Sequence, residues 1–233
     1  SLNSNIRIKG DMLDHVATKK VSLRINIINK GIFNMKKISL QSPKTRDFHT
    51  EQIFNNLLNF VGVFVPKSFY VNLIVNGDSW GTMYIQEHPS ETFTNNSSRP
   101  YGPIFKIDNI FSFYNDDLFW SSDKNLSYSA SKLMDFYNQP EKNYLLLDEK
   151  MWVRYIAVSF LFKCWHGDIG KNIRIYFNPI NKKFEPISYN NSCASIDSTR
   201  KLKFLPKKDQ FIFKLIKIKK FRTILISEIK KWK

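Results

Sequence analysis

A short polar segment between two apolar stretches carries the residues best suited to chemistry. Residues 166–172 read His-Gly-Asp-Ile-Gly-Lys-Asn and place Asp168 and Asn172 in a glycine-containing loop. Further along, the chain reaches a second amide-rich point, Tyr-Asn-Asn at 189–191. Phosphoryl transfer needs a carboxylate that accepts a hydroxyl proton, and oxygen ligands that hold magnesium against the phosphates. The alternative is a loop that ends a helix, in which Asp168 and Asn172 accept hydrogen bonds from backbone amides.

A second segment could cover a triphosphate. Residues 6–10 read Ile-Arg-Ile-Lys-Gly, and residues 19–24 read Lys-Lys-Val-Ser-Leu-Arg. This pattern predicts a strand, a turn beginning at Gly10, and a strand with Lys20 and Arg24 on its polar face. A single glycine is not the Gly-x-Gly-x-x-Gly loop of nucleotide-binding folds. An ordinary hairpin with an exposed polar face is therefore the alternative.

Two acidic residues could complete such a site. Glu51 follows Arg46 into a predicted helix, where it could pair with a strand lysine as in protein kinases. Glu87 and His88 end a predicted strand, at a position suited to the hinge beside an adenine base. The alternatives are a charge on a helix surface for Glu51 and a surface position for His88.

Hydrophobic periodicity predicts the elements that position these residues. The Asn76-Gly77 pair between two alternating segments is a strong hairpin signal. We predict strands at residues 6–9, 21–28, 36–41, 69–75, 80–86, 173–178 and 183–187. We predict helices at residues 45–61, 130–137 and 149–165, and a basic amphipathic helix or pair of helices at 209–232. The first helix is expected to bury Ile53, Leu57, Leu58 and Val61.

The composition indicates a folded and strongly basic α+β protein. The chain has 233 residues, of which 42% are hydrophobic and 15% aromatic, enough for one large domain or two packed lobes. Its net charge of +16 attracts nucleotide phosphates, nucleic acid, acidic lipid or acidic protein, or merely belongs to a solvated surface. No apolar run reaches about 18 residues, so we expect no transmembrane segment. Cys164 and Cys193 flank the candidate site and could form one disulfide bond.

Taken in chain order, these segments resemble the CotH kinase family, the spore-coat-type atypical protein kinases. The most specific match is the predicted hairpin VNLIVNGDSWGTMYIQE at residues 71–87. The other matching stretches are residues 6–10, 19–24, the helix after Arg46, 168–172 and 189–190. Because the chain starts at Ser1 and stops inside a basic helical pattern, we expect it to be a fragment at both ends.

The resemblance implies a protein-kinase-like, two-lobed α+β fold. Residues 1–88 would form an N-terminal lobe with a mixed or antiparallel sheet and one helix. Residues 89–233 would form a mainly helical C-terminal lobe that carries a β-hairpin. The resemblance further implies ATP and Mg²⁺ as cofactors, and transfer of phosphate to Ser or Thr hydroxyls of a protein substrate.

Site residues follow from the same resemblance, position by position. Asp168 would be the catalytic carboxylate, and Asn172 and Asn190 would be metal ligands. Five residues would bind the nucleotide or orient the side chains that bind it: Gly10, Lys20, Arg24, Glu51 and Glu87. At Asn190 the family usually has an aspartate, and the next acid in this chain is Asp197. An amide in place of a carboxylate removes one negative charge beside a divalent cation and weakens metal binding.

Three functions stay open on these grounds. The first is an active kinase with an altered metal site, and the second is a degenerate kinase-like domain that binds nucleotide or a partner without transferring phosphate. The third is a basic module that binds polyanions through residues 201–233. The third is disfavoured, and nucleic acid with it, because the apolar residues of this tail recur at helical spacing and predict a packed helix with its lysines outward. These residues are Phe211, Leu215, Ile218, Phe221 and Leu225.

Overall fold

A computed structural model of the chain has an α+β architecture, as predicted. It describes residues 3–9, 20–107, 113–115, 124–164, 172–191, 193 and 211–232. The strands are β1 Ser4–Ile8, β2 Leu23–Ile27, β3 Lys37–Gln41, β4 Ser68–Val75, β5 Asp78–Glu87, β6 Ile104–Ile107, β7 Phe113–Asn115, β8 Arg174–Asn178 and β9 Lys183–Ile187. The helices are α1 Thr50–Phe60, α2 Glu91–Asn96, α3 Lys124–Asn138, α4 Pro140–Asn143, α5 Glu149–Phe162, α6 Phe211–Lys217 and α7 Lys219–Lys231, with 3-10 turns at Pro43–Arg46 and Tyr144–Leu146.

The first sheet contains β1 to β5 and is antiparallel throughout, in the order β1-β2-β3-β5-β4. Its β4–β5 hairpin turns at Asn76 and Gly77, whose φ angles are 52° and 89°. Two consecutive positive φ angles are typical of the tight turn that Asn-Gly favours, because its twist matches that of the flanking strands. The hairpin predicted from this pair of residues is confirmed.

The first helix begins later than its periodicity predicts. The chain passes through the 3-10 turn Pro43–Arg46, and Asp47 and Phe48 then adopt φ angles of 49° and 55°. Left-handed backbone cannot continue a right-handed helix. Helix α1 therefore starts at Thr50 rather than at Thr45.

The buried face of α1 matches the predicted one only in part. Leu58 and Val61 are buried as expected and Leu57 is partly buried, but Ile53 is 56% exposed. The helix also buries Glu51, Phe54 and Asn55, which were not predicted to face inward. Because two of these inward residues are polar, α1 contributes buried polar groups as well as apolar side chains.

A second sheet contains β6 to β9 in the order β7-β6-β8-β9. The predicted hairpin is present as β8 and β9. It is not isolated, because β6 pairs antiparallel with β8 and extends the hairpin into a four-stranded sheet. The expectation of a hairpin in a mainly helical region was therefore too narrow.

The main hydrophobic core surrounds α5. This helix is capped by Asp148, whose carboxylate accepts a hydrogen bond from the Met151 amide at 3.0 Å. Side chains from α1, α3, the second sheet, α6 and α7 pack around it. All five tail residues predicted to be buried are buried: Phe211, Leu215, Ile218, Phe221 and Leu225. Because α1 shares this core with the C-terminal helices, the division into two lobes stays a prediction.

The two cysteines form a disulfide bond between Cys164 and Cys193. Cys164 follows the end of α5, and Cys193 follows the segment that leaves β9. The bond thus closes a segment that contains the second hairpin and two predicted metal ligands, Asn172 and Asn190. Among the helices of the described ranges, none has the length and apolar character needed to cross a bilayer.

Candidate functional site

Three basic side chains are buried together at the inner face of the first sheet. Lys9 follows β1, Arg24 lies in β2, and Arg46 ends the 3-10 turn before α1, with exposed fractions of 8%, 8% and 3%. We call these three residues the cationic cluster. The Lys9 ammonium donates to Gln41 Oε1 at 2.8 Å and to Asn190 Oδ1 at 3.3 Å. Arg46 Nε donates to the same Gln41 oxygen at 2.7 Å.

Strand register explains why these residues face one another. The backbone amide of Lys9 donates to the Ser22 carbonyl, and Arg7 pairs with Arg24, so Lys9 and Arg24 share one face of the sheet. The register of β2, β3 and β5 puts Ser39, Gln41 and Gln86 on that face as well. These polar residues form a buried stripe across the sheet: Ser22, Arg24, Ser39, Gln41 and Gln86.

The alternation predicted for the second strand is correct, but the middle of its polar face is buried. Ser22 is 0% exposed and Arg24 is 8% exposed, whereas Asn26 on the same face is exposed. The alternative of an ordinary hairpin with an exposed polar face therefore does not hold at Ser22 and Arg24. The apolar face packs a smaller cluster that includes Ile38, Leu40 and Met83. A sheet that turns polar side chains inward must satisfy them there, since unpaired buried polar groups are costly.

Glu51 reaches the polar stripe from α1 and is completely buried. Its Oε2 lies 3.5 Å from Arg46 Nη1, and its Oε1 accepts from Gln86 Nε2 at 3.1 Å and from the Asn191 amide at 3.2 Å. Burial raises the pKa of the Glu51 carboxyl, and the positive charges of Arg46 and Lys9 oppose that rise. The carboxylate therefore links α1, the sheet and the segment after β9 at one point.

Tyr189 forms a second connection between the segment after β9 and the first sheet. Its hydroxyl accepts from Arg24 Nη2 at 2.9 Å and lies 2.8 Å from His88 Nδ1. The cations of Lys9 and Arg174 lie over its ring, at 5.8 Å and 5.4 Å from the centroid. The tyrosine is surrounded by positive charge on several sides.

The pKa values of two buried bases, His88 and Lys9, are lowered by burial and by the neighbouring positive charges. Burial lowers the pKa of His88 well below its usual value, and Arg24, Lys37, Arg174 and Lys9 lower it further. Burial likewise lowers the pKa of Lys9, with Arg46 and Arg24 adding to the effect. Both shifts arise first from burial, which disfavours the charged form, and the neighbouring cations add to them. A negative charge placed beside these bases would act in the opposite direction.

Asn190 lies where the sheet, Lys9 and the second hairpin meet. Its φ of 58° is left-handed, a conformation that asparagine adopts more readily than most residues. Its Oδ1 accepts from Lys9, and its Nδ2 donates to Asn172 Oδ1 at 3.4 Å. The two predicted metal ligands are thus neighbours, and a lysine ammonium contacts one of them.

The predicted nucleotide ligands are only partly brought together. Arg24 and Glu51 both belong to this network of contacts, as described above. Lys20 instead donates to the Thr82 carbonyl at 3.5 Å in an exposed position, and Glu87 accepts from Asn96 Nδ2 at 2.7 Å. Asp168 and Gly10 lie outside the described residues.

Lys9, Gln41 and Gln86 are not among the site residues predicted from the sequence. Lys9 ends one predicted strand and Lys20 directly precedes the next, so composition and period alone do not show which of them enters the site. One feature of the sequence could have indicated the site. Several strands of the first sheet carry polar residues at alternate positions that face the same side. A polar face repeated across neighbouring strands indicates a buried polar site when the opposite face is also apolar.

Magnesium does not fit the side chains that the structure describes here. The oxygens of Asn172 and Asn190 already accept hydrogen bonds, one of them from an ammonium group. In the described part of the chain, no group of three or more His, Cys, Asp or Glu residues could hold a metal ion. Hard divalent cations prefer anionic oxygens, whereas lysine and arginine donors suit phosphate oxygens. The described donors suit an anion with phosphate-like oxygens better than a divalent cation.

Comparison with known proteins adds no family to this description. No family model matches the chain. No curated protein matches it either. The resemblance to CotH-type kinases therefore stands on the residues quoted from the sequence and stays a prediction.

Proposed function

We propose that this chain is a protein-kinase-like domain of the CotH type that binds the phosphates of ATP at the cationic cluster. The observation that carries the proposal is the burial of three basic side chains around one carboxylate. Among the described contacts of Lys9 and Arg24, the acceptors are the neutral oxygens of Gln41, Asn190 and Tyr189. Buried charge is costly unless an opposite charge compensates it. A phosphate group would supply that compensation.

The arrangement around the cluster also supports a kinase-like site. Protein kinases place a strand lysine near a helix glutamate beside the nucleotide phosphates. Here Lys9 extends from the end of β1 and donates to Gln41, whereas Glu51 extends from α1 and pairs with Arg46. Arg46 donates to the same Gln41 oxygen and so connects the two. We therefore assign the phosphate-contacting lysine to Lys9 instead of Lys20. The lobes proposed at residues 1–88 and 89–233 would meet at this cluster.

Phosphate transfer to Ser or Thr hydroxyls of a protein is the finer part of the proposal. It requires Asp168 as the group that accepts the hydroxyl proton, and that role follows from the resemblance alone. The degenerate alternative, in which nucleotide binds without transfer, gains support from one contact. The Asn190 oxygen expected to hold magnesium accepts a hydrogen bond from Lys9. Binding of ATP is common to both alternatives and is tested first.

The first prediction compares two lysines. Substitution Lys9→Met keeps most of the side-chain stem but removes the ammonium group. Because hydrogen bonds to charged groups contribute about 1.5–3 kcal/mol, we expect ATP affinity to fall at least about tenfold. The matched substitution Lys20→Met removes an exposed ammonium that contacts the Thr82 carbonyl. We expect it to change ATP affinity by less than about threefold, since exposed charges contribute little.

Isothermal titration calorimetry with ATP measures both variants, and adenosine serves as the ligand without phosphates. Adenosine should bind more weakly than ATP to the parent protein and equally to both variants. If the parent protein shows no ATP binding at millimolar concentration, the proposal is wrong. If Lys20→Met abolishes binding while Lys9→Met does not, the original assignment of the lysine was correct and the revised one fails.

A further inference from the structure

We infer, on the basis of the proposed function, that this site binds nucleotide phosphates without a divalent cation, the Lys9 ammonium taking the place of the metal. In kinases the metal ions bridge the β- and γ-phosphate oxygens and neutralise their charge. Here the residue at the metal-ligand position, Asn190, accepts a hydrogen bond from Lys9 at 3.3 Å. The side-chain nitrogen of Lys9 therefore already lies where the metal is expected, and a bound phosphate would favour its charged form.

The neighbouring charges also disfavour a divalent cation at this position. Lys9, Arg24 and Arg46 are all nearly buried, and Glu51 is the carboxylate that the described contacts bring to them. A divalent cation beside this cluster would be repelled by it, whereas a triphosphate would be attracted. Glu51 is also engaged with Arg46, Gln86 and the Asn191 amide, away from the Asn190 oxygen.

The backbone conformation at position 190 does not require asparagine. Its left-handed φ of 58° is a conformation that both Asn and Asp adopt more readily than most residues. An aspartate would fit the same backbone and would add the negative charge that magnesium requires. The amide therefore determines the charge of the site rather than the conformation of the chain.

The pairing of the two amides is consistent with a site that carries no metal. Asn190 Nδ2 donates to Asn172 Oδ1 at 3.4 Å. In this arrangement the Asn172 oxygen accepts from an amide donor, and the Asn190 oxygen accepts from Lys9. Both oxygens thus have a donor as partner, so a cation at either position would have to displace a hydrogen bond.

The test measures ATP affinity by calorimetry in excess EDTA and in excess Mg²⁺, for the parent protein and for Asn190→Asp. We expect the parent dissociation constants in the two conditions to agree within about threefold, because fixed cations supply the charge. In Asn190→Asp the new carboxylate would pair with Lys9 and repel phosphate. Its affinity in EDTA should fall at least about tenfold, as expected for a like charge beside the phosphates, and Mg²⁺ should restore it.

The matched control is Asn181→Asp in the turn between β8 and β9. Asn181 Oδ1 accepts from the Lys183 amide at 2.9 Å, an interaction that an aspartate oxygen preserves. This variant adds the same charge to the same disulfide-closed segment, at an exposed position. Its ATP affinity should match that of the parent protein in both conditions.

Three results would overturn the inference, and they differ in what else they affect. Binding by the parent protein that disappears in EDTA would show that a metal is required, while the proposed nucleotide-binding function would stand. Equal behaviour of Asn190→Asp and the parent would show that residue 190 does not face the phosphates. Absence of ATP binding in both conditions would remove the proposed function together with the inference.

Discussion

At the scale of single residues, the surroundings of His88 disfavour its protonation. The tyrosine hydroxyl accepts from Arg24, which leaves its own proton available for His88 Nδ1 at 2.8 Å. A neutral imidazole can accept that proton, whereas an imidazolium has a hydrogen on both nitrogens. Burial lowers the pKa of His88, and the positive charges of Arg24, Lys37, Arg174 and Lys9 lower it further. The contact with Tyr189 is compatible with the neutral imidazole that results.

A stability prediction follows from that pKa. Below the ordinary histidine pKa of 6.5 the unfolded chain binds a proton at His88 that the folded protein does not bind. The free energy of unfolding should therefore decrease as the pH falls through this value. The slope contributed by one histidine is at most about 1.4 kcal/mol per pH unit. Above the ordinary pKa, His88 is neutral in both states and adds no dependence.

Urea denaturation at pH 7.5 and pH 5.5 measures this effect, with His88→Asn as the comparison. Asparagine can present an oxygen near the position of Nδ1 but does not titrate. The loss of stability between the two pH values should be smaller in His88→Asn than in the parent protein, because the other titrating groups are common to both. Identical pH dependence in the two proteins would mean that folding does not shift the pKa of His88.

At the scale of the elements, the disulfide bond fixes the ends of the segment that carries half of the site. This segment runs from the end of α5 through β8 and β9 to Cys193 and includes Asn172, Tyr189 and Asn190. The remaining contributions come from the first sheet and α1. The bond therefore limits how far the hairpin can move from the cationic cluster.

Removing this bond should destabilise the fold. The cysteines are separated by 29 residues, and loop-closure entropy for a loop of about this size corresponds to about 3–4 kcal/mol. We expect Cys164→Ser, Cys193→Ser and the double variant to lose similar free energies of unfolding in urea, since each breaks the same bond. Reduction of the parent protein should have a comparable effect.

Additive losses in the double variant would contradict this prediction. They would mean that the two sulfur atoms contribute separately, through packing, and not through a shared bond. The reduced parent protein distinguishes these cases, because reduction breaks the bond without removing either side chain.

Local signals in the sequence were sufficient for elements whose geometry is local. The turn at Asn76-Gly77 and the hairpin of β8 and β9 depend on residues close in sequence, and both were predicted. The start of α1 was missed because Asp47 and Phe48 adopt left-handed backbone without a glycine to signal it.

The site was predicted only in part, because the sequence does not specify how the strands of the first sheet pair. Arg24, Glu51, Asn172 and Asn190 were expected near one another and lie in one network of contacts. Lys9 was missed because the pairing of β1 with β2 decides which lysine turns inward, and periodicity does not specify that pairing. Which face of the sheet is buried depends likewise on α1 and on the segment after β9, both distant in sequence.

At the scale of the whole molecule, one hydrophobic core joins parts of the chain that the two-lobe description separates. Phe54 and Leu58 of α1 belong to the same cluster as Trp152 of α5 and Phe211 of α6. The Phe211 ring lies 5.0 Å from both Phe136 and Trp152, measured between ring centroids. The basic tail is thus attached through its apolar face, and the cationic cluster lies where this core meets the first sheet.

A shared core predicts cooperative unfolding. We expect circular dichroism and tryptophan fluorescence to report one coincident urea transition, because α1 cannot lose its packing without affecting α5. Substitution Phe211→Ala should move that whole transition and cost about 3–5 kcal/mol, the usual cost of removing a buried phenylalanine. The matched substitution Phe60→Ala removes a side chain that is 82% exposed, and it should cost less than about 0.5 kcal/mol. Two separate transitions, of which only one responds to Phe211→Ala, would instead show that residues 1–88 unfold independently of the C-terminal helices.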